Sequence, residues 1–96
     1  MNFIENDGSL ICELPDRLDT INSQEFEKEL SLMMEKKFTK VSFDFKNVNF
    51  VSSYFLRVCL NLVKQFGNEN FDVSNVKSEI KKVFMIAGFD KILNIK

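Results

Sequence analysis

The chain has 96 residues, 13 of them basic and 14 acidic, and it contains no histidine. That length supports one core hiding roughly 60–70% of the unfolded surface, and a near-neutral balance without a long run of like charge argues against direct nucleic-acid binding. The absence of histidine removes the commonest general base and metal ligand and excludes any Ser-His or Cys-His nucleophile within the chain.

In chain order, the amino terminus (Met1 to Glu5) carries neither a basic nor an apolar segment of signal-peptide length, and the longest apolar runs span only a few residues. A cytoplasmic protein without membrane insertion is therefore expected. Phe3-Ile4-Glu5 and Leu10 to Leu14 read as two strands of a hairpin, joined at Asn6-Asp7-Gly8-Ser9, where Asp-Gly supplies positive φ cheaply. Pro15 cannot donate to a ladder, so it ends the second strand and opens a loop to Ile21, in which Arg17 and Asp19 flank the apolar Leu18. A salt bridge between the two charges is one reading, and a solvated loop with Leu18 tucked beneath it is the favoured one, because exposed pairs contribute little.

The first helix is expected to start at Asn22, with Glu25 completing a capping box and Ile21 stapling onto Phe26. Phe26, Leu30, Met33 and Met34, followed by Phe38, form its inward stripe, and Lys36 and Lys37 suit the negative pole near its end. In Lys40 to Phe45, Val41, Phe43 and Phe45 alternate with Ser42 and Asp44, the period of a strand with one buried face. Between Asn49 and Leu60 the period changes abruptly from extended to helical. Phe55, Cys59, Leu62 and Phe66 then recur at helical spacing until Gly67, the natural stop.

At that joint lie Ser52 and Ser53, placed where a hydroxyl can accept from an orphan amide and where a helix dipole favours a phosphate. Both serines also read simply as helix caps. Phe71-Asp72-Val73 alternates as a further strand, Ser74 or Asn75 is expected to cap a third helix halting at Gly88, and Lys91 to Ile95 reads as a closing strand. Cys12 and Cys59 fall in apolar runs without redox or metal spacing and read as packing thiols. Strands interleaved with helices predict an α/β domain with a mostly parallel sheet of four to five strands, an edge hairpin strand and helices packed against it.

Four stretches carry a family resemblance. They are Leu14-Pro15-Asp16-Arg17-Leu18-Asp19, Val41-Ser42-Phe43-Asp44, Phe50-Val51-Ser52-Ser53-Tyr54-Phe55-Leu56-Arg57-Val58 and Ala87-Gly88-Phe89-Asp90-Lys91-Ile92-Leu93. In order and spacing they resemble the STAS domain, whose best-known members are bacterial anti-sigma-factor antagonists, and the resemblance covers residues 1–96 as one domain. It implies that Ser53 aligns with the residue phosphorylated by a partner anti-sigma factor that is also a serine kinase. Unphosphorylated, such a domain binds the anti-sigma factor and frees a sigma factor; phosphorylated, it lets go.

The chain departs from the family pattern at the corner itself. Ser52 stands where aspartate is usual, Tyr54 where a second serine is usual, Phe55 where glycine is usual, and Asp16 replaces the glycine of the loop. Ser52 retains the means to cap, Tyr54 becomes a candidate contact residue, and Phe55 is expected in the core with Cys59. Arg57, one turn beyond Ser53, is positioned to meet a phosphate from the same helix face. The expected partner surface is therefore Asp19, Ser52, Ser53, Tyr54 and Arg57, with Ser53 the phosphorylation site.

The implied function is a non-enzymatic module without cofactor, controlled by partner switching. A non-switching STAS scaffold in a larger assembly, such as a lipid-transport ABC system, is the alternative. No glycine-rich phosphate loop supports a nucleotide-binding enzyme. The partner's identity and the oligomeric state stay open at this level.

Overall fold

A computed structural model describes residues 1–96. Strands β1 (Asn2–Asn6) and β2 (Ser9–Glu13) form the expected hairpin, with Asp7 at φ 49° and Gly8 at φ 81°. Both central residues thus take the left-handed conformation that a two-residue turn needs to match strand twist. A two-residue strand β3 (Arg17–Leu18) leads into helix α1 (Thr20–Met33), and strand β4 (Lys40–Asp44) follows. Then come β5 (Phe50–Val51), α2 (Ser53–Phe66), β6 (Phe71–Ser74), α3 (Ser78–Ile86), a single 3-10 turn (Phe89–Lys91) and β7 (Asn94–Ile95).

The main sheet has five strands in the order β1-β2-β4-β6-β7; only the β1–β2 edge pair is antiparallel. The α/β class, the mostly parallel sheet and the edge hairpin all match the sequence expectation. Alternation sorts the two faces. Leu10, Cys12, Val41, Phe43, Phe71 and Val73 are buried on one side. Onto that side each helix sends an aromatic ring: Phe26 of α1 and Phe55 of α2 contact Phe43, and Phe84 of α3 contacts Phe45, at centroid separations of 5.3, 5.7 and 5.6 Å. Such edge-on and tilted pairs contribute about 0.5–1.5 kcal/mol each beyond their area burial.

The opposite face carries the row Ile4, Ile11, Ser42, Asp72 and Asn94, aligned across the register. Asp72 is nearly covered there because Lys96 and Lys40 reach its carboxylate at 3.1 and 3.9 Å.

Several boundaries differ from expectation. Asn22 does not cap α1; Asp19 does, accepting from the Asn22 amide at 2.8 Å, while the Asn22 side chain donates to the Arg17 carbonyl. The helix begins earlier because Leu18 is pinned in β3, which leaves Asp19 as the first residue free to turn. Ile21 is 68% exposed, so it does not staple onto the buried Phe26. Neither Ser74 nor Asn75 caps α3: Ser74 pairs in β6 and Asn75 sits at φ 55°, leaving Lys77 at the cap position without a side-chain bond. The closing strand shrinks to Asn94–Ile95, since Gly88 at φ 80° starts the 3-10 turn within the preceding segment.

Candidate functional site

Two strand-to-helix turns lie side by side. Strands β3 and β5 pair in parallel, Arg17 opposite Phe50 and Leu18 opposite Val51. The Asn49 amide donates to the Asp16 carbonyl at 2.8 Å, and the Ser52 amide donates to the Leu18 carbonyl at 2.8 Å. This ribbon delivers Asp19 and Ser52 to the same corner, each at the start of a helix. Asp19 accepts from the Asn22 amide, and the Ser52 hydroxyl accepts from the Phe55 amide at 3.3 Å. Helices α1 and α2 pack against each other, so their positive poles are neighbours.

Ser53 is the first residue of α2 and is exposed. Because Ser52 provides the cap, the Ser53 hydroxyl is left out of the capping bond. The side chains after it divide between solvent and core. Phe55, Val58 and Cys59 are buried, in agreement with the expectation for Phe55 and Cys59. Phe55 fills the position where glycine is usual in the family and touches Phe26, Phe43 and Phe45.

Tyr54 is half-buried rather than free, and its hydroxyl donates to the Glu27 carboxylate of α1. That bond, with some burial and the nearby charge of Glu27, raises the phenol pKa above its ordinary value, partly opposed by Arg57. The Arg57 guanidinium lies over the Tyr54 ring, 5.9 Å from its centroid. Asp19, expected as a contact residue, has its carboxylate engaged in the α1 cap. Arg17 makes no ion pair with Asp19; it lies over the Phe50 ring at 4.6 Å.

Behind the corner, Asp16 accepts from the Asn49 side chain at 2.6 Å, and Asn49 accepts from Lys77 at 2.6 Å. Asp44 accepts from the Lys46 amide and the Asn75 side chain, both at 3.0 Å. These bonds hold the β4–β5 connection and the approach to α3 against the ribbon.

Sequence reasoning named Asp19, Ser52, Ser53, Tyr54 and Arg57 as one surface, and the ribbon sets Asp19 and Ser52 at neighbouring helix starts. Sequence reasoning did not foresee the contacts of Tyr54 with Glu27 and of Arg17 with Phe50, nor the exposure of Ile21. No local signal marks these contacts, since β3 and β5 are too short to show a period and Glu27 meets Tyr54 only through helix packing.

Both cysteines are buried and unpaired. Burial pushes the Cys12 thiol up to about 12 and Cys59 higher still, so neither is a ready nucleophile. No three acidic or cysteine side chains gather as a metal site, and no helix is long and apolar enough to cross a membrane.

The STAS domain family model matches residues 1–96. BtrV of Bordetella bronchiseptica, a protein named for anti-sigma-factor antagonism, is 30% identical over 91 residues, covering 93% of this chain and 78% of that protein. Among solved structures, a similarly named Thermotoga maritima protein superposes with a TM-score of 0.85 at 20% identity, over 98% of this chain and 83% of the other. An anti-sigma factor antagonist from Mycobacterium paratuberculosis gives 0.85 at 17% identity, over 98% and 81% of the two chains. The unphosphorylated form of the anti-sigma factor antagonist SpoIIAA gives 0.79 at 15%, over 99% and 88%.

Proposed function

The chain belongs to the STAS domain family, and from that premise we propose that it is an anti-sigma-factor antagonist working by partner switching. It binds an anti-sigma factor that is also a serine kinase, through the corner formed by Asp19, Ser52, Ser53, Tyr54 and Arg57. It has no catalytic step of its own and makes no direct contact with nucleic acid. The kinase transfers the γ-phosphoryl group of ATP to the Ser53 hydroxyl, ADP leaves, and the serine proton passes to a base on the kinase.

The observation that carries this reading is the division of labour between the two serines. Ser52 holds the helix cap, so the exposed Ser53 can be modified without breaking the bond that starts α2. A phosphate adds about 1.5–2 negative charges, and at a helix amino terminus that charge is tolerated or favoured. The fold survives while the partner surface gains negative charge. The relatives' names support the general role.

The test is direct. Incubation with the cognate kinase and ATP should add one phosphate by intact mass, and Ser53→Ala should remove it; labelling that persists in Ser53→Ala rejects the assignment. A pull-down with wild type and Ser53→Asp in parallel should lose the anti-sigma factor from the second. Co-purification with an ATPase that ignores Ser53→Asp would instead establish the scaffold role.

A further inference from the structure

Ser53, Tyr54 and Arg57 all lie in the first two turns of α2, and Arg57 is the only cation in those turns. Residues four apart on a helix are neighbours, and helical side chains lean back towards the amino terminus, so the exposed Arg57 covers the turn on which Ser53 stands. Tyr54 and Arg57, three apart, also share a face, and the Arg57 guanidinium lies over the Tyr54 ring, 5.9 Å from its centroid. That ring is itself tethered, because its hydroxyl donates to the Glu27 carboxylate of α1. The hydrogen bond to Glu27 raises the phenol pKa and the charge of Arg57 opposes the rise, so the three groups share one electrostatic neighbourhood. A line of contacts thus runs from α1 through Tyr54 to the cation beside Ser53.

We infer that Glu27 and Tyr54 are positioning residues that hold Arg57 ready as the internal counter-ion of a phosphate on Ser53. The inference rests on the partner-switching reading, which supplies the phosphoserine. An exposed ion pair along a helix is weak by itself, because two long or mobile side chains must be ordered in water to make it. A guanidinium already stacked on a fixed ring gives up less freedom, and its planar fork matches two phosphate oxygens at once. The tether from α1 therefore decides how fully Arg57 engages the phosphate. Once engaged, the phosphate lies back along α2 on its own protein, with the dianion favoured over the monoanion. A serine at position 54, usual in the family pattern, offers no ring, so this device belongs to the chain's own departure from that pattern.

The experiment uses the full chain with phosphoserine genetically encoded at position 53, and so needs no kinase. Phosphorus NMR gives the midpoint of the phosphate's second ionisation, and the Nε–Hε signal of Arg57, one of only two arginines in the chain, reports its hydrogen bonding. Removing the guanidinium in Arg57→Gln should raise the midpoint by at least about 0.3 pH units, the scale of a unit charge a few ångströms away in water. Tyr54→Phe removes the tether without changing any charge at neutral pH. It should produce at least half of that rise and return the Arg57 signal more than halfway to its position in the unphosphorylated protein. Added to Arg57→Gln, it should move the midpoint no further, because it acts only through the guanidinium. A smaller rise in Arg57→Gln, less than half of it in Tyr54→Phe, an Arg57 signal that Tyr54→Phe leaves in place, or a further rise in the double variant overturns the inference. Failure of the switch reads separately: a kinase label that persists in Ser53→Ala rejects phosphorylation at Ser53, whereas the encoded phosphoserine tests the positioning of Arg57 whatever that assay gives.

Discussion

The hydroxyl of Tyr54, in the first turn of α2, donates to the carboxylate of Glu27 in α1, so the residue next to the candidate switch is tied to a neighbouring helix. Because Glu27 stabilises the neutral phenol, Tyr54 should ionise above the ordinary tyrosine range near 10. It is the only tyrosine in the chain, so phenolate absorbance reports it alone. Glu27→Gln should bring the midpoint down towards the ordinary value. With the folded pKa raised, the contribution to stability is complete below the unfolded pKa and is lost as pH rises through the folded one. Titration of wild type at an unperturbed position would show that the bond does not persist in solution.

The caps of the two central helices should behave differently from what local sequence suggests. Asp19→Ala and Ser52→Ala each remove a side-chain acceptor from a helix start and should each cost about 1 kcal/mol in urea denaturation. Asn22→Ala removes only an exposed bond to the Arg17 carbonyl and should cost no more than about 0.5 kcal/mol. Equal losses at positions 19 and 22 would contradict the placement of the cap.

Ser23 lies fully buried on α1 with its hydroxyl lacking any hydrogen-bond partner. An unsatisfied buried hydroxyl retains its desolvation cost, and alanine is the better helix former. Ser23→Ala is therefore expected to stabilise the fold by about 1 kcal/mol in the same assay. A loss of stability would mean that the hydroxyl finds an acceptor in solution.

At position 53 the expected effects on stability and binding diverge. Ser53→Asp places a carboxylate in the first turn of α2, where it should leave stability unchanged or raise it by about 0.3–1 kcal/mol at low salt, with the gain shrinking as salt is added. Calorimetric melts across a salt series would check this. A marked destabilisation would imply that weakened partner binding in this variant reflects damage to the fold.

Much of the architecture is legible in the chain because it rests on short-range regularities. The alternation of Val41, Phe43 and Phe45 buries one strand face, and the spacing of Phe55, Cys59 and Leu62 orients α2. The Asp7-Gly8 pair and Gly67 supply the positive φ values that end or reverse elements. The period change at Ser52 marks the corner without any structural information. These features depend on which residues lie two, three or four positions apart, and the sequence displays that directly.

What the tertiary structure alone decided is how distant residues meet at that corner. Two-residue strands have no period to read, yet the pairing of Leu18 with Val51 moves the α1 cap from Asn22 to Asp19 and sets two helix starts side by side. The packing of α1 on α2 gives Tyr54 its partner in Glu27, and the ribbon places Arg17 over Phe50. Each of these contacts joins residues far apart in the chain whose geometry is fixed only when the shared aromatic core closes, and no local pattern encodes that closure.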